Sequence, residues 1–496
     1  MICITVTPES RTLAKADIFN AASQGDVIEL CLDHLVKEPD VKDLLSATTK
    51  PVIISCRRPQ DGGKWSGTED ERLLLLRQAI VAGPAYIELD LDIAPKVPRF
   101  GNVKRVVSFT RRDKPETDID GIFEKAAKAN ADVVKFCWPT PTIDAAWPLL
   151  QAVSGKRKLP IVGQGMGRAE LTFSLLGRKF GSPWLYAALE KGMETFPGQV
   201  TVFELDELYH WRDITPQTAL VAVAGFGPSQ TITTKVLNTA FQLLSMPVRC
   251  LPIVPDNMTQ LKKMLEMLKI KAVFVSGALG RGLLPLAEHV DPHDANSRAI
   301  DLLLKRDNGW HGYNTLWRSG LKRLEQTLAK NAPAGQKPLE QRNVLVLGNG
   351  GIAQTMVYAV MHRKGLVSVC GPNEKDSQQI ATQNQCRFVP FAKLYETLFD
   401  VVIVADPELK AGMKQGCINP SLLRPQMTVL DVTDPPREHA LFGEAKFRGC
   451  RTVAPSDVFS DQIATQFKAL TGKDLPSAAL EAGLAMLSSE HDEEEV

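Results

Sequence analysis

The stretch ADVVKFCWP, residues 131–139, places a single lysine, Lys135, inside an apolar run that ends at a proline. The run is short and rich in β-branched and aromatic side chains, a composition that favours a buried strand. Lysine is rarely buried without a partner. The stretch therefore predicts a strand whose lysine either has a chemical task or extends from the strand end to solvent.

Short apolar runs of this kind recur through the first two hundred residues, separated by amphipathic stretches such as ERLLLLRQAIVAG and IFEKAAKANA. Alternating strands and helices predict a parallel sheet. Seven or eight such units predict a small (β/α)8 TIM barrel. The predicted strands are ICITV (2–6), VIELCLD (27–33), VIISCRR (52–58), YIELDLD (86–92), RVVSFT (105–110), DVVKFCW (132–138), LPIVGQGMG (159–167) and, as the eighth, WLYAAL (184–189).

A second α/β region follows the polar segment RDITPQT (212–218) and starts with LVAVAGFG (220–227). The segment AKNAPAGQKPLEQ (329–341) is a plausible hinge, and NVLVLGNGGIAQTMVYAV after it has the pattern of a strand, a glycine-rich turn and a helix. Further apolar runs continue this pattern as a doubly wound sheet. These runs are VSVC (367–370), DVVIVAD (400–406) and TVLDVTD (428–434).

Composition excludes several classes of protein. Of the 496 residues, 44% are hydrophobic and 23% charged, and the net charge of +1 favours neither nucleic acid nor a membrane as partner. Apolar runs are too short for membrane spans, and the first residues lack the layout of a secretory signal, so we expect a cytoplasmic protein. The nine scattered cysteines form no CxxC pair, which predicts neither a metal site nor a disulfide framework.

Lys135 is the first candidate for chemistry. In a barrel, side chains at the carboxyl ends of the strands face the active site. Desolvation lowers the pKa of an amine, so a buried lysine can be a nucleophile that forms a Schiff base with a ketone. The alternative is a lysine that reaches solvent along its apolar stem.

Other predicted strand ends carry polar groups. Glu29 and Cys31 share one face of their strand, Arg57 follows the next, and Glu88 lies on the one after that. Gln199 ends the segment FPGQ. Together they predict a pocket for a small, anionic, hydroxylated substrate. Taken singly, each is better explained by a salt bridge or by support of a neighbour than by catalysis.

The order of these motifs resembles type I 3-dehydroquinate dehydratase over residues 1–212. The motifs are ELCLDHL, CRRPQDGG, ELD, VVSFT, ADVVKF, GMG and PGQ. That family is a (β/α)8 barrel that dehydrates 3-dehydroquinate through a lysine imine. The resemblance implies that Lys135 is the imine lysine. It also implies that Glu29, Arg57 and Gln199 contact the substrate, with Glu88 beside them.

Three positions depart from that family. Thr110 stands where the family has a histidine acid/base, and a threonine cannot carry a proton near neutral pH. Cys31 and Ser174 stand at or near positions of arginines, the second of which binds the substrate carboxylate. Compensation could come from Arg111, Arg112 or Arg168.

The remainder resembles shikimate dehydrogenase over residues 218–485. The matching motifs are GWHGYNT (309–315), LGNGGIAQT (347–355), FDVVIVAD (399–406) and SDQIATQF. The resemblance implies a substrate-binding domain at 218–330, a Rossmann-like NADP-binding domain at 338–455, and helices at 456–490 that return to the substrate domain.

Site residues follow from the same resemblance. Thr231, Thr233, Asn314 and Gln462 would hold shikimate, and the turn Gly348, Asn349, Gly350 and Gly351 would take the NADP pyrophosphate. A tight turn kept for packing is the alternative interpretation of those glycines.

The dehydrogenase motifs also depart from their family. Leu279 stands where the family has its catalytic lysine, and Leu316 where it has its catalytic aspartate. Asp301 replaces an asparagine, and near the expected 2′-phosphate site Lys375 is the one cation. A leucine cannot exchange a proton, so hydride transfer would lose its acid/base partner.

The sequence therefore predicts a shikimate-pathway protein for aromatic amino acid biosynthesis, fused from a dehydratase and a dehydrogenase, with the dehydrogenase half impaired. Two alternatives stay open. The chain could be a pseudoenzyme or binding protein that keeps both folds without turnover, or an imine-forming enzyme with a changed substrate. The predicted partner is a small molecule, and the choice of NAD or NADP and the oligomeric state are open.

Overall fold

The computed structural model describes residues 1–37, 39–116, 118–155, 157–167, 169–225, 227–253, 258–275, 280–330, 337–414 and 417–489. The chain forms two compact units. One comprises Met1–Thr218 with Ile253–Leu261, and the other Ala219–Pro252 with Lys262–Val496. The α/β class predicted from the sequence is confirmed in both units. None of the helices in these ranges combines the length and apolar character that a membrane crossing requires.

The first unit contains an eight-stranded parallel sheet that curls into a cylinder. Its strands pair in the order β7-β6-β5-β4-β3-β2-β1-β8, and β8 also lies beside β7, although no ladder joins the described residues of those two strands. The predicted barrel is thus confirmed, with one seam. Its strands are β1 (Ile2–Val6), β2 (Val27–Cys31), β3 (Val52–Ser55), β4 (Tyr86–Asp90), β5 (Lys104–Thr110), β6 (Val133–Pro139), β7 (Ile161–Met166) and β8 (Leu185–Ala187).

Helices alternate with these strands. The third shows why the chain folds locally as it does: Thr68 and Glu71 form a reciprocal capping box at its start, and Gly83 ends it in a left-handed conformation with φ 80°. Its buried face carries Leu73, Leu76 and Ile80. The helices of this unit are α1 (Arg11–Gln24), α2 (Val41–Leu45), α3 (Glu69–Ala82), α4 (Ile119–Lys128), α5 (Ile143–Ser154) and α6 (Glu170–Lys179).

Apolar side chains fill one level of the cylinder, called here the floor. Because alternate residues of a strand share a face, residues two positions further along each strand stand above this floor, toward the carboxyl ends. The sequence thus brings Glu29, Glu88 and Lys135 to one level inside the barrel. The floor comprises Cys3, Val27, Ile53, Val106, Val133, Val162, Trp184 and Tyr186, with Tyr86 packed against it.

The second unit begins with a mixed six-stranded sheet of order β10-β9-β11-β13-β14-β12. Within it β13 and β14 form an antiparallel hairpin, so part of the GWHGYNT motif is a strand. The strands are β9 (Ala219–Ala224), β10 (Val248–Ile253), β11 (Ala272–Val275), β12 (His289–Val290), β13 (Leu302–Arg306) and β14 (Gly309–Tyr313).

A second sheet of this unit is wholly parallel and has the order β17-β16-β15-β18-β19-β20. This is the strand order of a dinucleotide-binding Rossmann sheet, as the sequence predicts. Its strands are β15 (Asn343–Leu347), β16 (Leu366–Cys370), β17 (Arg387–Phe388), β18 (Val401–Val404), β19 (Thr428–Asp431) and β20 (Arg451–Val453).

The last two helices pack on the first of these sheets. Ile463, Phe467 and Ala479 share a buried core with Val236 and Phe241. The helices of the second unit are α7 (Pro228–Leu243), α9 (Gly280–Leu283), α10 (Pro292–Asn296), α11 (Leu316–Ala329), α12 (Gly351–His362), α13 (Glu374–Gln383), α14 (Ala440–Phe447), α15 (Pro455–Thr471) and α16 (Ser477–Ser489). Helix α8 (Met258–Met267) is divided between the units, with its residues from Lys262 onward in the second.

Candidate active sites

Lys135 lies inside the barrel. It is the third residue of β6, two positions beyond the floor residue Val133, and its side chain is 1% exposed. A lysine that reached solvent along its stem would expose its amine. The alternative that the Lys135 side chain extends to solvent is therefore wrong.

Two carboxyl groups and a phenol ring surround the amine. Lys135 Nζ donates to Glu88 Oε2 at 3.1 Å and lies 3.7 Å from Glu29 Oε1. The centre of the Tyr186 ring is 4.1 Å from the same nitrogen. These residues, together with Arg57, are called the amine site below.

Arg57 holds both carboxyl groups. Its Nε and Nη2 donate to the two oxygens of Glu88 at 3.2 and 3.0 Å, and Nη2 also donates to Glu29. Asp33 fixes the loop that carries the arginine, because its oxygens accept from the backbone N–H of Arg57 at 3.1 Å and of Lys64 at 2.8 Å. Alternation within VIELCLD places Asp33 on the same side as Glu29 and Cys31, but it does not indicate that Asp33 positions Arg57.

The two glutamates of the amine site have different protonation tendencies. Burial raises the pKa of Glu29, and this effect outweighs the opposing charges of Arg57 and Lys135. Burial is also the largest single influence on Glu88 and acts to raise its pKa, but the charges of Arg57 and Lys135 together with the hydrogen bonds from Arg57 outweigh burial and hold the pKa well below the usual range. The site thus contains one carboxyl that favours its proton and one that is ionised.

Gln199 is buried beside the same group of strands. Its Oε1 accepts from the backbone N–H and the hydroxyl of Thr195 at 2.8 and 3.0 Å. Its Nε2 donates to Thr5 Oγ1 at 3.5 Å, and Thr5 pairs with Glu29 in the register of β1 and β2. Gln199 therefore borders the amine site through Thr5.

Of the positions that depart from the dehydratase family, Cys31 contacts the amine site. Cys31 accepts weak hydrogen bonds from Ser55 at 3.4 Å and from Arg57 at 3.9 Å, so its thiol packs against the guanidinium. Thr110 ends β5 and lines a neighbouring hollow together with Asp90. Ser174 is buried in α6.

The suggested substitutes for the missing arginine are engaged elsewhere or lie outside the description. Arg111 binds Glu116 at 2.6 Å and Asp113 at 3.2 Å, in its own loop. Arg112 donates to the carbonyl of Pro59 at 3.4 Å. Arg168 lies outside the described residues.

The second unit has a cleft between its two sheets. Asn314 Nδ2 donates to Ser297 Oγ and Ala299 O, both at 2.9 Å, and to Thr355 Oγ1 at 3.0 Å, a residue of α12. The polar residues that line the cleft include Ser229, Thr233, Asp301, Asn314, Thr355, Thr433, Asp434 and Gln462. Three of the four predicted shikimate contacts are thus brought together.

Thr231, the fourth predicted contact, lies apart from the other three. It is not among the residues that line the cleft, and its hydroxyl donates back to the carbonyl of Gly227 at 3.3 Å. Ser229 and Thr233 line the cleft instead, because α7 already begins at Pro228 and residues four apart share a helix face.

Asp301 occupies the wall of the cleft and accepts several hydrogen bonds. Its carboxylate accepts from the backbone N–H groups of Thr315 at 2.8 Å and Leu316 at 2.7 Å, from the Thr315 hydroxyl at 2.9 Å and from Gln462 Nε2 at 2.8 Å. Burial raises its pKa, against the effect of these donors. Asp301 therefore anchors the start of α11.

Ionisable groups are scarce in this cleft. Asp301 and Asp434 are the two among the described lining residues, and Asp434 accepts a hydrogen bond from Ser229. Leu316, at the family's aspartate position, lines the cleft with its alkyl side chain. Leu279 lies outside the described residues.

The glycine-rich turn suits a pyrophosphate. Gly348 has φ 142° and lies so close to Ala405 and Asp406 that a Cβ would approach to 3.0 Å. Gly350 faces open space, and α12 starts directly after it with unpaired backbone N–H groups expected at its first turn. Asn349 accepts from Ser377 Oγ at 3.2 Å, which ties the turn to α13.

The first unit is thus a (β/α)8 barrel that encloses an amine between two carboxyl groups. The second combines a Rossmann sheet with a mixed-sheet lobe and a polar cleft. Together they define a two-part α/β protein with two separate polar sites.

The chain belongs to the type I 3-dehydroquinase family, whose family model matches residues 2–216. A 3-dehydroquinate dehydratase of Methanococcus maripaludis is 30% identical over 220 residues, covering 42% of this chain and 98% of the relative. This membership confirms the resemblance that the barrel motifs indicated.

Similarity also extends over both units. The chain is 25% identical over 500 residues to the chloroplastic bifunctional 3-dehydroquinate dehydratase/shikimate dehydrogenase of Arabidopsis thaliana, covering 96% of this chain and 83% of the relative. A shikimate dehydrogenase (NADP(+)) of Syntrophobacter fumaroxidans is 23% identical over 265 residues, covering 52% of this chain and 90% of the relative. The predicted fusion is therefore confirmed, while a cytoplasmic location stays a prediction.

Proposed function

We propose that the chain is a shikimate-pathway enzyme that dehydrates 3-dehydroquinate through an imine of Lys135 and carries a fused shikimate dehydrogenase-like unit with impaired hydride transfer. The observation that carries the dehydratase proposal is the buried amine of Lys135 within hydrogen-bond reach of the Glu88 carboxylate. The names of the similar proteins support the substrate and the pathway.

Each residue of the amine site has a task in this proposal. Lys135 Nζ attacks the ketone carbon and forms the imine, which makes the neighbouring C–H bond acidic. Glu88 orients the amine. Arg57, Glu29 and Gln199 bind the substrate hydroxyls.

Borohydride trapping tests the imine. The chain is incubated with 3-dehydroquinate and borohydride, and the modified peptide is located by mass spectrometry. We expect an irreversible adduct on Lys135 and none when shikimate, which has no ketone, replaces 3-dehydroquinate. An adduct with another ketone but not with 3-dehydroquinate would show that the substrate has changed. If no pathway ketone formed an adduct, the chain would be a binding protein and not a dehydratase.

For the second unit we propose a substrate domain at 218–330, a nucleotide domain at 338–455 and returning helices at 456–490. Thr233, Asn314 and Gln462 would hold a shikimate-like ligand, with Ser229 in the place first given to Thr231. Gly348, Asn349, Gly350 and Gly351 would hold the pyrophosphate of NADP, which when bound supplies the hydride acceptor.

Impaired turnover is proposed because hydride transfer between a hydroxyl and a ketone needs a proton carrier. Among the described lining residues the ionisable groups are Asp301 and Asp434, and both are engaged in hydrogen bonds within the chain. Because of these bonds, neither carboxylate is available to exchange a proton with a substrate hydroxyl.

Binding and turnover are tested separately. NADPH fluorescence is titrated against the chain, and shikimate oxidation is followed by the absorbance of the reduced nicotinamide. We expect saturable binding with turnover lower by a factor of about 10² or more than in a dehydrogenase with its acid/base pair. Gly350→Asp should weaken binding through charge repulsion, whereas Gly443→Asp, at an equally open glycine on α14, should not. Absence of any NADPH binding would contradict the cofactor proposal.

A further inference from the structure

Among the described residues that form the amine site there is no histidine, and Thr110 stands where the family has its histidine. Dehydration of a β-hydroxy ketone nevertheless requires a group that removes a proton from carbon and returns one to the departing hydroxyl. This inference rests on the proposed dehydratase function and asks which groups of this chain move those protons.

Glu29 and Glu88 form a pair at the required place. They extend inward from β2 and β4, they are 0% and 5% exposed, and both bind Arg57. Both carboxyl groups accept from the same nitrogen, Arg57 Nη2. Each has an oxygen within 3.7 Å of Lys135 Nζ, the atom that would become the imine nitrogen.

The hydrogen bonds of the Glu29 carboxyl indicate which of its oxygens carries a proton. Its Oε1 accepts from Arg57, whereas its buried Oε2 receives no hydrogen bond from any donor among the described residues. A buried anionic oxygen without a donor is costly. A proton on Oε2 removes this cost and turns the oxygen into a donor.

We propose that Glu29 and Glu88 share one proton and together serve as the acid and base of the amine site, with the proton resident on Glu29. Two close carboxyl groups with one proton are a known way to hold an acid and a base side by side. The pair would take the role of the histidine that the family has at the position of Thr110.

The proton balance can be followed through the reaction. The neutral amine of Lys135 adds to the ketone carbon: the C–N bond forms, the C=O π electrons move to oxygen, and Glu88, 3.1 Å from Nζ, carries a proton from nitrogen to that oxygen. Glu29 protonates the resulting hydroxyl, which leaves as water and produces the iminium. The Glu29 carboxylate then removes the α-proton, and the C–H electrons form the enamine.

The second half of the cycle restores the pair. The enamine electrons expel the β-hydroxyl, which takes the proton of Glu29 and leaves as water. Water then adds to the conjugated iminium and gives a proton back to Glu29. As the C–N bond breaks, its electrons return to nitrogen, Glu88 carries the proton of the carbinol hydroxyl to that nitrogen, and the enone and the free amine are released.

The pH dependence of Glu29 is set by the groups that face it from the surrounding strands. Burial raises its pKa, so the carboxyl retains a proton at higher pH than an exposed glutamate. The acid form is then lost as pH rises through that pKa. The facing groups are Cys3 on β1, Cys31 on β2, Arg57 after β3, Glu88 on β4, Lys135 on β6 and Tyr186 on β8.

Glu29→Gln tests the pair in the full-length chain. The amide has the shape of a protonated carboxyl and cannot exchange its proton. We expect kcat with 3-dehydroquinate to fall by a factor of about 10² or more, the decline of kcat at high pH to disappear, and the borohydride adduct on Lys135 to form in full yield on longer incubation. Glu124→Gln, at an exposed carboxyl on α4, should change none of these.

The outcomes separate the two proposals. A wild-type chain that forms no adduct contradicts the proposed function itself. A wild-type chain that turns over, together with a Glu29→Gln variant that turns over within threefold or keeps the high-pH decline, contradicts the carboxyl pair alone. A variant that loses adduct and turnover together assigns Glu29 a binding role and also contradicts it.

Infrared spectroscopy of the wild-type chain gives an answer that does not require the variant to fold. We expect the carbonyl band of a protonated carboxyl at neutral pH, shifted by 13C-glutamate labelling and lost as pH rises. Absence of a glutamate-derived band would overturn the proposal.

Discussion

The amine site of the barrel and the cleft of the second unit both bury carboxylates, but the partners of these carboxylates differ. In the barrel, Glu29 and Glu88 bind the side chains of Arg57 and Lys135 and leave the amine facing the interior. In the cleft, Asp301 binds backbone N–H groups at the start of α11. The contrast teaches that partners, more than burial, distinguish a carboxylate available for chemistry from one that maintains the fold.

The largest effect should come from removing the nucleophile. Lys135→Ala should abolish the borohydride adduct and lower dehydration of 3-dehydroquinate by a factor on the order of 10⁴ or more, since Lys135 is the one amine among the described residues of the amine site. Ultraviolet absorbance of the enone product measures the rate. Lys104→Ala, at an exposed lysine at the other end of the barrel, is the control. If Lys135→Ala retained turnover, Lys135 would not be the nucleophile, and the barrel would not differ from the cleft in the way described.

The next effect concerns the charge balance of the barrel. Arg57→Met leaves Glu29 and Glu88 without their shared cation, and breaking such a buried pair costs about 3–5 kcal/mol. Urea unfolding followed by circular dichroism measures the loss. Lys15→Met, which breaks an exposed pair with Asp43, should cost less than about 1 kcal/mol. Equal costs would mean that Arg57 does not hold the amine site.

A smaller effect is expected in the cleft. Asp301→Asn keeps the shape but replaces one acceptor oxygen by a donor that faces the donors of Thr315, Leu316 and Gln462. Such mismatches cost about 1–3 kcal/mol. Thermal unfolding of the second unit should therefore shift down, whereas Asp474→Asn, at an exposed carboxylate, should not shift it. A more stable Asp301→Asn variant would contradict the capping role.

The smallest effect is a difference in pH dependence within the barrel. The raised pKa of Glu29 means that its contribution to stability is full below its unfolded pKa of about 4.3 and is lost as pH rises through the folded pKa. The lowered pKa of Glu88 gives the opposite: its contribution is present above about 4.3 and is lost as pH falls through the folded pKa.

Urea unfolding at several pH values checks this. The stability of the wild-type chain relative to Glu29→Gln should decrease with rising pH, and its stability relative to Glu88→Gln should increase. Parallel pH dependences would show that the two carboxyls do not differ in protonation.

Much of the barrel could be predicted because its information is local. Apolar runs gave the strands, and alternation within VIELCLD, YIELDLD and DVVKFCW placed Glu29, Glu88 and Lys135 on inward faces. The ring of Tyr186 below the amine could not be predicted, since its contact with Lys135 depends on how β8 closes against the rest of the cylinder.

The second unit was harder to predict. The antiparallel pairing of β13 and β14 is a tertiary choice that short apolar runs do not encode. The replacement of Thr231 by Ser229 could have been found, because a helix that begins at Pro228 puts Ser229 and Thr233 on one face and Thr231 on another. Asp434, which holds Ser229, comes from a distant segment and has no local pattern.

The mass of the borohydride adduct tests the account most directly. Incubated with 3-dehydroquinate, the wild-type chain should carry on Lys135 an adduct of the dehydrated product, one water lighter than an adduct of the substrate. Glu29→Gln should carry the heavier, undehydrated adduct. A dehydrated adduct on both chains, or no adduct on Lys135 of the wild-type chain, would contradict the account.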